Sequence, residues 1–211
     1  MGLDVEAPPA TVAGVPVLRD PQALLEATLQ GWSPQEDLWV FGYASLIWRP
    51  EFEAVERRSA TVHGFHRAFR MRSRVNRGTP DKPGLVFALL PGGSCRGVVY
   101  RIAQAGAREQ LDRLWAREMP TGVYDPRWLR CQTPGGTVRA LAFTLSRRSP
   151  AHVGMIDDAQ LLAILRNAKG RYGSTLEYLV HTHRSLRAHG IRDAAVERHV
   201  ALALRNGLVE S

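Results

Sequence analysis

Two Pro-Gly-Gly turns, each set between apolar runs, organise the middle of this sequence. They are Pro91-Gly92-Gly93-Ser94 and Pro134-Gly135-Gly136. Apolar runs joined by Gly-rich turns are typical of β-hairpins, so the sequence predicts two of them. A buried strand beginning at Leu38 and a weaker strand over 61–71 are also predicted. The runs that flank the two turns cover residues 84–90, 97–102, 128–133 and 137–145.

Helical signals lie between and after these strands. Over 105–119, apolar side chains recur at helical spacing, and Pro120 ends the helix because the residue before a proline disfavours the α conformation. Asp and Ser caps predict three more helices, over about 157–169, 174–190 and 193–206. Strands with one embedded helix, followed by helices, favour a mixed α+β domain over a regularly alternating fold.

Length and composition indicate one globular domain. The 211 residues, 45% of them hydrophobic, suffice for a single core. Residues 1–20 lack helical or strand periodicity and are predicted to be a mobile leader without functional residues, followed by one domain over 21–211. No apolar run approaches the ~20 residues that cross a bilayer, and no export signal is apparent. Cys95 and Cys131 predict no disulfide framework, so a cytoplasmic protein is expected.

The formal net charge of +8 comes almost wholly from arginine, because Lys82 and Lys169 are the only lysines. A basic chain raises the question of an anionic partner such as nucleic acid. The arginines are spread along the chain and do not cluster, which argues against a nucleic-acid partner. A non-catalytic module that binds nucleic acid or regulates another protein remains the alternative to an enzyme. His181 and His183 are two apart on a predicted helix and cannot share a metal, and no phosphate-binding glycine motif occurs.

Glu118 continues the apolar stripe of the helix predicted over 105–119. Leu111, Leu114 and Trp115 lie at helical spacing, and the next position of that series is the glutamate. Its carboxylate is expected on the core side, where burial and the negative end of the helix dipole raise a carboxyl pKa. Such a group can act as a general base near neutral pH. The alternative is a structural ion pair with an arginine, and periodicity alone favours that alternative.

A second candidate site is the small-residue turn after the strand that begins at Leu38. Exposed backbone N–H groups at a turn such as Gly42 to Ser45 can form a concave site for a carboxylate. A buried strand that turns a tight corner explains the same residues. Arg77 lies in a Gly/Pro loop, which either places it over a site or is a rigid connection, and spacing does not decide between these.

Four segments, taken together and in this order, resemble the ChaC family, the glutathione-specific γ-glutamylcyclotransferases. The similarity covers roughly residues 38 to 192. The segments are FGYASLIWRP at 41–50, RGTP at 77–80 with Pro83-Gly84, LWAREM at 114–119 with GVY at 122–124, and Gly173 with LEYL at 176–179.

The resemblance implies a γ-glutamylcyclotransferase-like fold, a mixed β-barrel with packed helices. It also implies a lyase that cleaves glutathione, a small-molecule substrate, to 5-oxoproline and cysteinylglycine with no metal or organic cofactor. The hydropathy and the spread of the arginines, independently, lead us to expect no membrane or nucleic-acid partner. The family's catalytic glutamate corresponds to Glu118, and the arginine of its RGTP segment corresponds to Arg77. Its substrate loop, whose backbone would hold the γ-glutamyl α-carboxylate, corresponds to Val40, Phe41, Gly42, Tyr43, Ala44, Ser45 and Leu46.

Three positions depart from the family pattern. Ala44 replaces a loop glycine and is tolerated only if its φ is negative. Asn76 stands where many members have histidine, and Phe143 stands where some have tyrosine. These departures bear on substrate preference, so other γ-glutamyl amino acids or amines are the alternative substrates.

Overall fold

A computed structural model describes residues 11–12 and 14–209 of the chain. In these residues a β-barrel is combined with helices that pack on it. The elements are β1 (Thr11–Val12), β2 (Val15–Pro16), α1 (Pro21–Leu29), β3 (Leu38–Gly42), α2 (Ser45–Trp48), β4 (Glu56–Ser73), β5 (Gly84–Ile102), α3 (Ala107–Glu118), β6 (Asp125–Thr133), β7 (Gly136–Thr144), α4 (Asp158–Asn167), β8 (Lys169–Gly170), β9 (Gly173–Ser174), α5 (Thr175–Ala188) and α6 (Ala194–Arg205).

The barrel closes in the strand order β3-β5-β4-β6-β7. Neighbouring strands are antiparallel along this order, and a short parallel contact between Val40 and Leu141 joins β3 to β7. The contact between β4 and β6 is short, with Thr61 opposite Gln132 and Val62 opposite Cys131. The predicted α+β class and the mixed barrel with packed helices are confirmed.

The second Pro-Gly-Gly turn forms the predicted hairpin. Strands β6 and β7 pair antiparallel as far as Thr133 and Gly136, so Pro134 and Gly135 are the only residues between the paired ends. Gly136 has a φ of +103°, a value that side-chain-bearing residues rarely adopt. The glycine therefore allows the chain to reverse within a short loop.

The first Pro-Gly-Gly segment does not form a hairpin, and that prediction was wrong. Residues 84–102 are one strand, β5, and Pro91 pairs with Phe65 of β4. The register shifts between His63 and Phe65, and Gly64 and Gly92 have φ values of +83° and +103°. Glycines on both strands thus bend the β4–β5 ribbon at a bulge. The chain reverses instead in the loop between β4 and β5.

The predicted helices are confirmed as α3, α4, α5 and α6. Asp157 and Ser174 each form a capping box, and Asp193 caps α6 with its side chain. Helix α1 was not predicted, although Asp20 caps it and Pro21 occupies its first turn. This arrangement is a standard helix start, since proline at that position loses no helical hydrogen bond.

The core consists of two clusters on opposite faces of the strands, because successive strand residues alternate in direction. Phe41 belongs to the cluster that packs against α4, α5 and α6. Val40 belongs to the cluster that packs against α1 and α3. Ile47 contributes to the first cluster and Leu46 to the second, so the segment after β3 bridges the two.

Residues 1–10 and 13 of the predicted leader lie outside the described residues. Part of the remainder contacts the barrel: the Leu18 N–H donates to the Thr121 carbonyl at 2.8 Å, and Arg19 forms an ion pair with Asp125 at 2.7 Å. The division of the chain at residue 20 stays a prediction. In the described part of the chain, every helix is too short or too polar to cross a membrane.

Candidate active site

A cavity of about 480 Å³ opens where the two core clusters meet. Volumes of this order are typical of small-molecule sites. The end of α3 contributes Glu118, the segment after β3 contributes Tyr43 to Leu46, and the loop after β4 contributes Arg77. The leader also reaches the cavity, through Val12, Val15, Pro16 and Leu18, although no functional part was expected there.

Glu118 occupies the position expected from the helical stripe. Leu111, Leu114 and Trp115 are buried, and the glutamate one turn further lines the cavity with a side chain that is only 13% exposed. The expected arginine partner is also present, since Arg117 Nε lies 3.1 Å from Glu118 Oε1. The two alternatives left open by the sequence thus occur together, as an ion pair at the wall of a cavity.

Burial raises the pKa of Glu118, even though the Arg117 guanidinium opposes the shift. The Glu51 carboxylate adds to the rise by like-charge repulsion. Arg117 is shared, because its Nη1 also lies 2.9 Å from Glu51 Oε2. A guanidinium divided between two carboxylates stabilises each less than an exclusive partner would. Glu118 can therefore hold a proton more readily than an exposed glutamate.

Three buried tyrosines surround this carboxylate. Burial and the Glu118 charge together raise the pKa of Tyr43, Tyr124 and Tyr178, and neighbouring tyrosines add to the rise at Tyr43. The Tyr43 hydroxyl donates to the Phe143 carbonyl at 3.0 Å, and the Tyr178 hydroxyl accepts from the Phe87 N–H at 3.2 Å. All three phenols remain neutral at physiological pH and can act as hydrogen-bond donors.

The structure divides the predicted substrate loop, Val40 to Leu46, into two parts. Val40, Phe41 and Gly42 belong to β3 and are buried in the barrel, outside the cavity lining. Tyr43, Ala44, Ser45 and Leu46 line the cavity. Ala44 has a φ of −147°, so the condition under which its methyl group is tolerated is met.

A buried arginine holds this segment from behind. The side chain of Arg67, on β4, is 1% exposed, and its Nε donates to the Tyr43 carbonyl. Its other nitrogens donate to the Arg96 carbonyl and to the Asp193 carboxylate at the start of α6. Arg67 thus ties the loop that lines the cavity to the last helix.

Arg77 lies in the cavity wall and is 7% exposed. Its Nη1 donates to the Tyr172 carbonyl, and its guanidinium carbon lies 5.3 Å from the Tyr178 ring centre. The loop that carries it is rigid: a Cβ on Gly78 would lie 2.1 Å from the Gly84 backbone nitrogen. Close backbone packing therefore explains both glycines. The loop therefore does both things that the sequence left open: it places Arg77 at the cavity, and it is a rigid connection between β4 and β5.

The other departures from the family pattern also lie at the cavity. Asn76 lines it and accepts the Tyr172 N–H at its own carbonyl, at 3.0 Å. The centre of the Phe143 ring lies 6.0 Å from that of the Tyr124 ring, and Phe143 brings no hydroxyl group to the cavity.

Sequence reasoning missed the contributions of Arg67 and Glu51, because the contacts that define them join distant parts of the chain. It expected an arginine partner for Glu118 but did not assign that partner to Arg117. Tyr124 and Tyr178 lie in the segments that resemble the family, but the sequence analysis assigned them no role in the site. A buried tyrosine usually has a hydrogen-bond partner, and this was the available signal. In residues 11–12 and 14–209, no three His, Cys, Asp or Glu side chains are grouped as a metal site requires.

Comparison with known proteins identifies the family. A family model described as ChaC-like protein matches residues 38–205. The chain belongs to the ChaC-like family. The glutathione-specific γ-glutamylcyclotransferase of Escherichia coli (strain K12) is 36% identical to this ChaC-like chain over 172 residues, which are 81% of the chain and 74% of that relative. The human glutathione-specific γ-glutamylcyclotransferase 1 is 31% identical over 148 residues, covering 68% of this chain and 67% of the relative.

The fold of the ChaC-like chain is also found among solved structures. A crystal structure of a γ-glutamyl cyclotransferase specific to glutathione, from yeast, superposes with a TM-score of 0.71. The match covers 82% of this chain and 96% of that one at 23% sequence identity. The predicted family and the predicted γ-glutamylcyclotransferase-like fold are both confirmed.

Proposed function

We propose that this chain is a lyase that cleaves glutathione to 5-oxoproline and cysteinylglycine, with Glu118 as general base and then general acid. The names of the E. coli and human relatives support the reaction and the small-molecule substrate. The position of Glu118 carries the proposal for this chain. It is a mostly buried carboxylate with a raised pKa, at the wall of a cavity of a size suited to a tripeptide.

Glu118 acts first on the substrate's amine. The γ-glutamyl amine is an ammonium at neutral pH, and its nitrogen has no free electron pair until a proton is removed. The Glu118 carboxylate takes that proton, and the free amine attacks the γ-carbonyl carbon of its own residue to close a five-membered ring. Such well-oriented intramolecular reactions reach effective molarities of about 10⁵ M or more.

The same carboxyl group completes the reaction. The tetrahedral intermediate collapses when the bond between the γ-carbonyl carbon and the cysteinyl nitrogen breaks, and Glu118 returns its proton to that nitrogen. The ring nitrogen releases its second proton to solvent, and the new cysteinyl amine takes one up to become an ammonium. The products are 5-oxoproline and cysteinylglycine, and the carboxylate is restored. One group can serve both steps because its pKa is raised towards the working pH.

The segment from Tyr43 to Leu46 binds the substrate's α-carboxylate in this proposal. This segment lines the cavity, and Arg67, which lies outside the cavity lining, holds the Tyr43 carbonyl. Backbone N–H groups in a fixed turn can bind an anion without a positively charged side chain. Arg77 contributes positive charge to the same cavity. A pre-set loop of this kind holds the amine and the γ-carbonyl in the geometry that ring closure needs.

The test is a product assay with a panel of γ-glutamyl compounds. With glutathione we expect 5-oxoproline and cysteinylglycine in equal amounts. If a γ-glutamyl amine or another γ-glutamyl amino acid is turned over faster than glutathione, that compound and not glutathione is the preferred substrate. No 5-oxoproline from any member, together with salt-sensitive binding to DNA or RNA, would overturn the enzyme and favour the non-catalytic alternative. The cytoplasmic location stays a prediction.

A further inference from the structure

The cavity contains more positive charge than the reaction centre uses. Among the described residues, six arginines but only two glutamates line it. Both glutamates have partners, since Glu51 contacts Arg49 and Arg117, and Glu118 contacts Arg117. The excess charge therefore lies elsewhere on the cavity wall.

Three arginines form a basic rim, and we use this name for Arg72, Arg74 and Arg171. Arg72 is the second-last residue of β4, and Arg74 follows that strand. Arg171 lies between β8 and β9, and its N–H donates to the Val75 carbonyl at 2.8 Å. This hydrogen bond brings the 171–172 turn beside the end of β4, and all three arginines are among the residues that line the same cavity.

The basic rim has no internal counter-charge. In the part of the chain that the structure describes, the side chains of Arg72, Arg74 and Arg171 have neither a carboxylate within 4.0 Å nor a hydrogen-bond partner. The contact that Arg171 makes is with the Tyr172 ring, 5.3 Å from its guanidinium carbon. Like charges held together repel one another, and an anionic ligand relieves that repulsion. The guanidinium fork also matches the geometry of a carboxylate.

Glutathione carries one carboxylate that the reaction centre does not need. In the proposed function the Tyr43–Leu46 segment binds the γ-glutamyl α-carboxylate, and Glu118 acts on the amine. The glycine carboxylate lies two residues beyond the scissile bond, about 7 Å away in an extended chain. That group leaves with cysteinylglycine and takes no part in bond making or breaking.

We infer that the basic rim binds the carboxylate at the far end of the substrate, and so selects γ-glutamyl peptides that end in a carboxylate over γ-glutamyl amines. This inference rests on the proposed function. It makes Arg72, Arg74 and Arg171 specificity-determining residues that are remote from the chemistry. Their effect belongs in KM, because the contact is the same before and during ring closure.

The test compares two substrates in two proteins. The substrates are glutathione and the same tripeptide with its glycine carboxylate converted to a primary amide, which leaves the γ-glutamyl group intact. The proteins are the wild type and the triple variant Arg72→Gln, Arg74→Gln, Arg171→Gln. For one charge-assisted contact we expect kcat/KM of the wild type to fall about tenfold on the amide, through KM. The triple variant should lose a similar factor on glutathione and less than about twofold on the amide.

A matched control is Arg127→Gln. Arg127 is an exposed arginine on β6, outside the cavity lining, and its replacement should leave kcat/KM for both substrates unchanged. If the triple variant does not fold, the single variants of Arg74 and Arg171, which are both exposed, provide the same comparison. Equal losses on both substrates in a folded variant, or equal KM of the wild type for both, would overturn the inference while leaving the proposed function intact. Turnover of neither substrate by the wild type would overturn both.

Discussion

At the inner end of the cavity, Glu118 shares Arg117 with Glu51, whereas Arg72, Arg74 and Arg171 of the basic rim have no described carboxylate partner. The inner charges are balanced, so burial decides the proton affinity of the glutamate. The outer charges are unbalanced and more open to solvent, so an incoming anion can balance them. One cavity thus separates proton transfer from substrate selection, and each end can be changed with limited effect on the other.

The largest effect is expected at the inner end, from Glu118→Gln. The amide keeps the shape of the side chain but cannot accept the amine proton, so turnover of glutathione should fall by about 10³-fold. KM should change little. The assay is release of 5-oxoproline, and Glu109→Gln, on the exposed face of the same helix, is the control. Turnover near the wild-type rate would remove Glu118 from the mechanism.

Arg67→Met tests whether the inner end of the cavity depends on the hydrogen bonds by which Arg67 holds the Tyr43–Leu46 segment. Removing one partner of a buried ion pair leaves Asp193 and the Tyr43 carbonyl without their donor, so unfolding free energy should fall by about 3 kcal/mol. The folded fraction should also show a lower kcat, because Tyr43 to Leu46 lose their fixed position. Urea unfolding and turnover measure the two effects. Arg57→Met, an exposed change on the same strand, should produce neither.

Arg117→Gln should move the pH dependence of the reaction. The Arg117 charge lowers the pKa of Glu118, so its removal raises that pKa further and leaves Glu51 without this counter-charge. The base form then exists only at higher pH, and the acidic limb of kcat/KM shifts upward. A pH profile measures the shift, with Arg113→Gln on the same helix as control. A downward shift would contradict the assigned roles of these charges.

Ala44→Gly should have the smallest effect. The backbone at this position has a negative φ, which alanine adopts freely, so the methyl group imposes no strain through φ. We expect kcat/KM for glutathione within about twofold of the wild type, in the range of most neutral substitutions. A large gain in activity would show that the methyl group obstructs the substrate loop.

The sequence predicted those parts of the fold that depend on local patterns. Helix α3 and the direction of Glu118 follow from apolar spacing, and Asp157 and Ser174 mark the starts of α4 and α5. The two Pro-Gly-Gly segments show the limit of this approach. Both have the local chemistry of a turn, but the first is paired with β4 on either side of its two glycines, through Pro91 and Ser94, and so it bends instead of reversing. That outcome depends on the length of a partner strand elsewhere in the chain.

The candidate site could be predicted from the sequence only where a single residue departs from its local pattern. Glu118 interrupts an apolar stripe and can be recognised without a structure. Arg67 reaches Asp193 across 126 positions, and Arg171 joins the end of β4 through a backbone hydrogen bond to Val75. In so arginine-rich a chain, nothing in the local sequence distinguishes these arginines from the others. Their assignment required the pairing of distant segments.

The proton affinity of Glu118 itself is the most direct test. Titration of side-chain carboxyl carbons by NMR, with the Glu118 signal assigned by its absence in Glu118→Gln, gives the pKa of this group in the folded protein. We expect Glu118 to titrate above the ordinary range of a glutamate side chain, at a midpoint that matches the acidic limb of kcat/KM. A midpoint within or below that ordinary range would show that the Arg117 ion pair outweighs burial, and would contradict a general base at this position.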